Sequence, residues 1–143
     1  MADCELCRLE ASPEEPPGGW VLRTDLWSVC VAPGFEAPGW LFLQLRRHAE
    51  GPVGMDDTEA AELGPLVARV SAGIQAATGA ERVYLLALGE TFPHFHVLLF
   101  PRMPFAPDDE KGVALFAKRA ELCDPAAAAE TAARVCAAVS AMP

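Results

Sequence analysis

Histidine is scarce in this chain, positive charge is in deficit, and the cysteines do not make an even set. Only 3 histidines and 5 cysteines occur in 143 residues. An odd, sparse set of cysteines does not fit the disulfide framework of a small secreted protein. No apolar run reaches the roughly 18 residues of a membrane span, and no basic segment followed by an apolar core marks a signal peptide. We therefore expect a reduced, cytoplasmic protein that does not enter a membrane.

The shortage of positive charge limits the partners. The sequence holds 11 Lys and Arg against 20 Asp and Glu, which gives a net charge of −9. Binding to the phosphate backbone of a nucleic acid normally needs a basic surface, so we expect no nucleic-acid partner. A small phosphorylated ligand is still compatible with this charge, because a few arginines and backbone N–H groups can bind it.

The hydrophobic fraction of 52% is too high for a disordered chain, and the length predicts one domain over residues 1–143. Strand-like apolar stretches occupy 20–24, 27–32, 40–45, 82–87 and 94–100, and 82–87 is expected to be a buried strand. Asp56 and Glu59 form a capping box at the start of a helix that ends at Gly79. A helical stretch follows around 110–121, and a last helix covers about 125–141, with Asp124 as its N-cap. This pattern predicts an α+β fold with an antiparallel sheet.

A Cys4-x-x-Cys7 pair at the N-terminus is the first candidate for a metal site. In a cytosolic chain such a pair indicates metal binding more often than a disulfide. Tetrahedral zinc needs two further ligands, which His48 and His94 can supply. Two alternatives stay open: His94 and His96 could bind the metal together, or the chain could bind no metal.

The remaining cysteines, at 30, 123 and 136, are expected to be core thiols. Core packing is also the expectation for the tryptophans, at 20, 27 and 40.

The second candidate is the His94-Phe95-His96 segment on the last predicted strand. Side chains two apart on a strand point the same way, so both histidines should face one cleft while Phe95 and its neighbours at 97 and 99 pack on the core. Two polar residues on a half-exposed strand would be the plainer interpretation. Imidazoles between apolar neighbours are costly to bury without partners, however, which favours a functional role.

The run from Gly89 to Arg102, Gly-Glu-Thr-Phe-Pro-His-Phe-His-Val-Leu-Leu-Phe-Pro-Arg, resembles the signature of the histidine triad (HIT) superfamily. The N-terminal cysteine pair, the Arg-Arg-His48 segment and the long helix with its acidic start also fit bacterial members. The resemblance covers about residues 4–102, and the helical extension at about 103–143 fits only loosely. It implies a HIT-like fold of about five antiparallel strands with one long helix and a C-terminal helix.

The resemblance also implies chemistry at the α-phosphate of a nucleotide. His96 occupies the position of the family's nucleophilic histidine, which forms a nucleotidyl-histidine intermediate. Gly89, Glu90 and Thr91 would line the phosphate site, with Thr91 and the loop amides donating to the phosphate oxygens. In zinc-containing relatives the first histidine of the motif, here His94, is a metal ligand. The implied substrates are dinucleoside polyphosphates or nucleoside phosphoramidates, and the implied assembly is a homodimer with helix or strand edges buried between the subunits.

Two positions depart from the family pattern. The third histidine, often the proton donor to the leaving group, is replaced by Leu98, which can donate nothing. Glu90 stands where the family often has a phosphate-contacting Gln, and a carboxylate beside phosphate is repulsive unless it turns outward or contacts an amine. With these departures, the resemblance implies either a nucleotide hydrolase or transferase with a structural zinc, or a nucleotide-binding protein that has lost catalysis. A third possibility is a HIT fold recruited to other metal-dependent chemistry.

Overall fold

The strands form an antiparallel sheet in the computed structural model, which describes residues 3–143. Five strands are present in this part of the chain: β1 (Leu22–Arg23), β2 (Trp27–Val31), β3 (Leu41–Leu45), β4 (Arg82–Leu86) and β5 (His96–Arg102). Their order across the sheet is β1-β2-β3-β5-β4, and every neighbouring pair is antiparallel. The predicted α+β class with an antiparallel sheet is confirmed. β5, which carries the second histidine of the motif, lies inside the sheet between β3 and β4.

Four α-helices accompany the sheet within the described residues: α1 (Glu5–Ala11), α2 (Asp57–Thr78), α3 (Val113–Ala117) and α4 (Pro125–Ser140). The capping box of α2 is present, since the Asp56 side chain accepts from Glu59 N–H and the Glu59 side chain accepts from Asp56 N–H. Gly79 ends α2 at φ 74°, a left-handed conformation that favours glycine. Asp124 caps α4 as expected, at 3.1 Å from Ala127 N. None of these helices has the length and apolar character needed to cross a membrane.

The two faces of the sheet are covered differently. Alternation along β5 places Val97 and Leu99 on one face, which we call the helix face, because α2 and α4 pack there. The opposite face, here the cavity face, carries Leu98 and Phe100 and is partly covered by Leu6 of α1 and Leu115 of α3. Packing of residues 95, 97 and 99 on the core is therefore confirmed.

The N-terminal helix α1 is an element that the sequence pattern does not predict. With seven residues it is too short to be stable alone, so its stability must come from tertiary contacts. Leu6 is completely buried in the cluster on the cavity face. The Glu10 carboxylate accepts hydrogen bonds from Ser28 and Gln44, two buried polar residues of the sheet. These contacts hold the segment with both N-terminal cysteines against the sheet.

Three expectations are wrong in detail. The stretch 110–121 is not one helix: α3 lies between the 3-10 turns Asp108–Glu110 and Arg119–Leu122. β4 is not a buried strand, because it lies at the edge of the sheet and its Leu85 is 51% exposed. Cys123 is not a core thiol, because it follows the second of those turns at the surface.

Cys30 and the tryptophans agree better with the predicted core packing. Cys30 is fully buried on β2, and burial raises the pKa of its thiol to about 12. Trp27 and Trp40 are buried core residues. Trp20 is only half-buried and lies under the guanidinium of Arg23, at 4.3 Å.

Candidate metal centre and adjoining cavity

Four side chains from distant parts of the sequence meet at one point. They are Cys4, Cys7, His48 and His94, and one ligand atom from each lies within 4.8 Å of all the others. Cys4 is the N-cap of α1 and Cys7 lies one turn along it, where the Cys7 N–H donates to the Cys4 sulfur. His48 follows β3, and His94 precedes β5.

The atoms that face one another have the spacing of a tetrahedral metal site. The Nδ1 atom of His94 lies 3.4 Å from the sulfur of Cys4 and 3.4 Å from that of Cys7. The Nδ1 atom of His48 lies 3.3 Å from the sulfur of Cys7. In a tetrahedron with Zn–S of about 2.3 Å and Zn–N of about 2.0 Å, sulfur and nitrogen are roughly 3.5 Å apart. The donor set therefore fits a structural zinc ion.

Hydrogen bonds on the far side of each imidazole prepare both rings for metal binding. The Nε2 atom of His94 lies 2.6 Å from the carbonyl oxygen of Leu45, so Nε2 carries the hydrogen and Nδ1 presents its lone pair to the cysteines. The Nε2 atom of His48 lies 3.4 Å from a carboxylate oxygen of Glu50. A carboxylate behind a metal-binding histidine fixes its orientation and raises its basicity.

Burial supports the same assignment. His94 has no exposed surface, and burial lowers the pKa of its imidazole, which favours the neutral form that metals bind. Two thiolates and two neutral imidazoles neutralise Zn²⁺, so no net charge would be left in this half-buried place.

His96 does not belong to this centre, and its side chain lies in different surroundings. Its Nδ1–H donates to the main-chain carbonyl of His94 at 2.9 Å, which leaves the lone pair on Nε2. The ring stacks on Phe42, with centroids 4.2 Å apart, and meets the edge of Phe92 at 5.9 Å. Burial lowers the pKa of His96, so its Nε2 is unprotonated near neutral pH. In the described part of the chain, His96 does not join the metal-binding group.

A cavity of about 480 Å³ opens in front of His96 on the cavity face of the sheet. Its walls are mainly apolar, and its rim contains the exposed segment Gly89, Glu90 and Thr91. Leu98 lies in the wall on the same strand as His96. The volume is in the range that holds a ligand of nucleotide size. The structure thus brings the predicted phosphate-site residues and His96 to one cavity.

Part of the cavity wall comes from residues that the motif does not contain. Phe35 lies in the loop between β2 and β3, and Phe116 and Arg119 belong to the C-terminal segment. No local pattern marks these side chains as ligand contacts, because they reach the cavity only through the fold.

Arg46 and Arg47 are not among the residues that line this cavity. Arg47 forms an ion pair with Glu59 at 2.7 Å, and Arg46 donates to the Thr24 carbonyl.

Solved structures of histidine triad proteins share this fold. A zinc-bound histidine triad family protein from Mycobacterium smegmatis superposes with a TM-score of 0.76 at 12% identity, over 97% of this chain and 94% of that one. A hypothetical histidine triad nucleotide-binding protein from Sulfolobus tokodaii gives 0.72 at 19% identity, over 96% and 92% of the two chains. A histidine triad protein from Sinorhizobium meliloti gives 0.63 at 25% identity, over 81% and 85%. No protein-family model and no curated protein matches the sequence significantly.

Proposed function

We propose that this chain, which has the fold of the histidine triad proteins, is a nucleotide-binding protein that transfers or hydrolyses a nucleotidyl group through His96. The observation that carries the proposal is the orientation of one imidazole. The main-chain carbonyl of His94 accepts a hydrogen bond from Nδ1–H of His96. The remaining lone pair, on Nε2, belongs to a side chain that lines the cavity. A fixed tautomer with a free lone pair is what a nucleophilic histidine requires.

The reaction would proceed in two steps. In the first, Nε2 of His96 attacks the α-phosphorus, a P–N bond forms, and the bond from phosphorus to the leaving group breaks. In the second, water or another acceptor attacks the same phosphorus, the P–N bond breaks, and His96 is restored. Thr91 and the backbone amides near Gly89, at the cavity rim, are the donors for the phosphate oxygens in both steps.

The four-ligand centre has a structural role in this proposal. A bound zinc ion would hold α1 and the His94 segment together and would take no part in the phosphoryl chemistry. His94 itself links the two sites, because its side chain belongs to the metal-binding group while its carbonyl orients His96. The proposed ligands are Cys4, Cys7, His48 and His94.

A covalent adduct tests the catalytic proposal directly. Zinc-loaded protein is mixed with a dinucleoside polyphosphate or a nucleoside phosphoramidate labelled at the α-phosphate, quenched in base, and analysed for bound label. We expect label on the wild-type chain that is released by acid, and none on His96→Ala. Zinc content and melting temperature of the variant serve as its folding control. Turnover by wild type that survives in His96→Ala would overturn the assignment of the nucleophile.

A second candidate, a nucleotide-binding protein without catalysis, is favoured by Leu98. This side chain is 4% exposed and lies in the cavity wall, where it offers no proton to a leaving group. Tight nucleotide binding by wild type, with neither adduct nor turnover, would support this candidate over the enzyme.

We also propose that two chains associate through the free edge of β4. This strand pairs only with β5 in the described chain, and an unpaired edge is a template for a second strand. Two leucines near that edge, Leu85 and Leu88, are 51% and 64% exposed. Sedimentation should give a dimer for wild type and for Val53→Arg, a change at a 96% exposed position elsewhere, but a monomer for Leu85→Arg. A monomeric wild-type chain would refute this proposal.

A further inference from the structure

Among residues 3–143, one positively charged side chain lines the cavity, and it comes from outside the histidine motif. Among the described residues that line the cavity, the charged side chains are Glu90 and Arg119. Glu90 is exposed at the rim, next to the segment that should meet a phosphate. Arg119 belongs to the 3-10 turn that follows α3, and it lies outside the histidine motif in sequence.

The arginine is held in place by its own neighbourhood. Its Cζ atom lies 4.2 Å from the centroid of the Phe116 ring, and its Nη1 donates to the Phe116 carbonyl at 3.1 Å. Both contacts restrict a long side chain that would otherwise lose considerable entropy on binding a ligand. A guanidinium has five N–H donors, and one bond to a carbonyl leaves donors for an anion.

Arg119 also differs from the arginines that stabilise the fold. Arg47 and Arg102 are each neutralised by a glutamate at 2.7 Å. Arg119 has no carboxylate within 4.0 Å in the described part of the chain, although acidic residues outnumber basic ones 20 to 11. A half-buried cation without a counter-ion, in the wall of a cavity, has the charge state and geometry of an anion-binding residue.

The overall charge of the chain favours a local cation at a phosphate site. The chain carries a net charge of −9, so an anionic ligand is repelled at long range, and the rim adds the carboxylate of Glu90. Backbone amides can bind phosphate oxygens, but they supply no full charge. A local cation such as Arg119 would offset this repulsion for a phosphate ester.

We propose that Arg119 binds the phosphate of the ligand and so gives the cavity its preference for nucleotides over uncharged nucleosides. This inference rests on the proposed function for the identity of the ligand, but the anion-binding role is separable from it. The C-terminal segment, which resembles the histidine triad pattern least, then contributes a specificity-determining residue rather than only a structural cover.

The test compares three probes on zinc-loaded full-length chain: a nucleoside 5′-monophosphate, the matching nucleoside and inorganic phosphate. In Arg119→Gln we expect affinity for the nucleotide to fall about 10- to 100-fold, since a charge-assisted hydrogen bond is lost. Affinity for the nucleoside should stay within about twofold. The matched control is Arg82→Gln, which makes the same charge change at the opposite end of β4 from the cavity residue Leu86 and should leave all three affinities unchanged.

The outcomes separate this inference from the proposed function. If the wild-type chain binds no nucleotide but binds phosphate in an Arg119-dependent way, the nucleotide function fails and the anion site stands. If Arg119→Gln weakens nucleotide and nucleoside equally, Arg119 only supports the Phe116 wall and the inference is wrong. Unchanged nucleotide and phosphate affinities in Arg119→Gln, or no Arg119-dependent binding of any probe, would also overturn it.

Discussion

His94 and His96 are separated by one residue, yet their hydrogen bonds give them opposite tautomers. His94 donates from Nε2 to the Leu45 carbonyl and keeps its Nδ1 lone pair, whereas His96 donates from Nδ1 and keeps its Nε2 lone pair. Each free lone pair therefore points to a different environment, the cysteines in one case and the cavity in the other. At the scale of single residues, the proposed roles of the two histidines depend on which ring nitrogen carries the hydrogen.

In the proposed mechanism, Leu98, two positions further along β5 than His96, leaves the departing group without a proton donor from this position. Leu98→His would restore a proton donor on the face of the strand that carries His96. We expect turnover of a substrate with a basic leaving group to rise by up to about 100-fold, within the usual contribution of a general acid. A substrate whose leaving group is itself a phosphate should gain much less.

Steady-state rates on the two substrates measure this difference. Leu98→Met, which keeps the wall apolar and supplies no proton, is the matched control and should leave the ratio of the two rates unchanged. Equal gains on both substrates in Leu98→His would argue against a missing proton donor.

At the scale of elements, the close crossing of α2 and α4 gives the helix face its tight packing. A Cβ added at Gly73 of α2 would lie 2.7 Å from Cγ2 of Val139 and 3.2 Å from Cγ1 of Val135, both on α4. The absence of a side chain at this position lets the two helices approach and bury the helix face of the sheet.

Gly73→Ala should therefore destabilise the fold, although alanine is the better helix former. Overpacking costs about 1–3 kcal/mol, and the gain in helix propensity returns at most about 1 kcal/mol. We expect a net loss of up to about 2 kcal/mol in the free energy of unfolding, measured by urea denaturation.

A double-mutant cycle with Val139→Ala identifies the cause. Because the nearest clash involves a methyl group of Val139, the cost of Gly73→Ala should shrink when that methyl is absent. The same cost in both backgrounds would place the effect elsewhere in the helix.

At the scale of the whole molecule, the metal centre joins the helix α1 to the segments that follow β3 and precede β5. Its ligands span residues 4 to 94, and the helix with both cysteines is otherwise held by Leu6 and the Glu10 contacts. Closing such a long loop around one ion stabilises the folded chain relative to the unfolded one.

Zinc removal should therefore destabilise the protein. With free zinc at about 100 times its dissociation constant, the ion contributes about 2.7 kcal/mol to the free energy of unfolding, and a chelator removes that contribution. We expect about one zinc per chain by elemental analysis and a lower melting temperature after chelation.

Cysteine variants provide the control for that experiment. Cys4→Ser should reproduce the effect of the chelator, whereas Cys123→Ser, at an exposed thiol outside the centre, should retain both metal and stability. A chain that keeps its melting temperature after complete zinc loss would contradict the structural role of the metal.

The sequence by itself determined the features that depend on neighbouring residues. The capping box at Asp56 and Glu59, the stop at Gly79 and the side-chain alternation along β5 all follow from interactions within one turn or one strand. Those local rules placed Phe95 and its alternate neighbours in the core. They predicted the antiparallel α+β fold correctly.

Only the tertiary structure decided where distant segments meet. The cysteine spacing and the histidine triad resemblance predicted that Cys4 and His94 share a metal site, and the structure places them together. What brings them together across 90 positions is the packing of α1 on the cavity face of the sheet, which no local pattern predicts. The same holds for Arg119, whose approach to the cavity of His96 depends on how the C-terminal segment folds over Phe100. Local periodicity sets which face a residue takes, whereas burial of apolar surface between elements sets which faces come together.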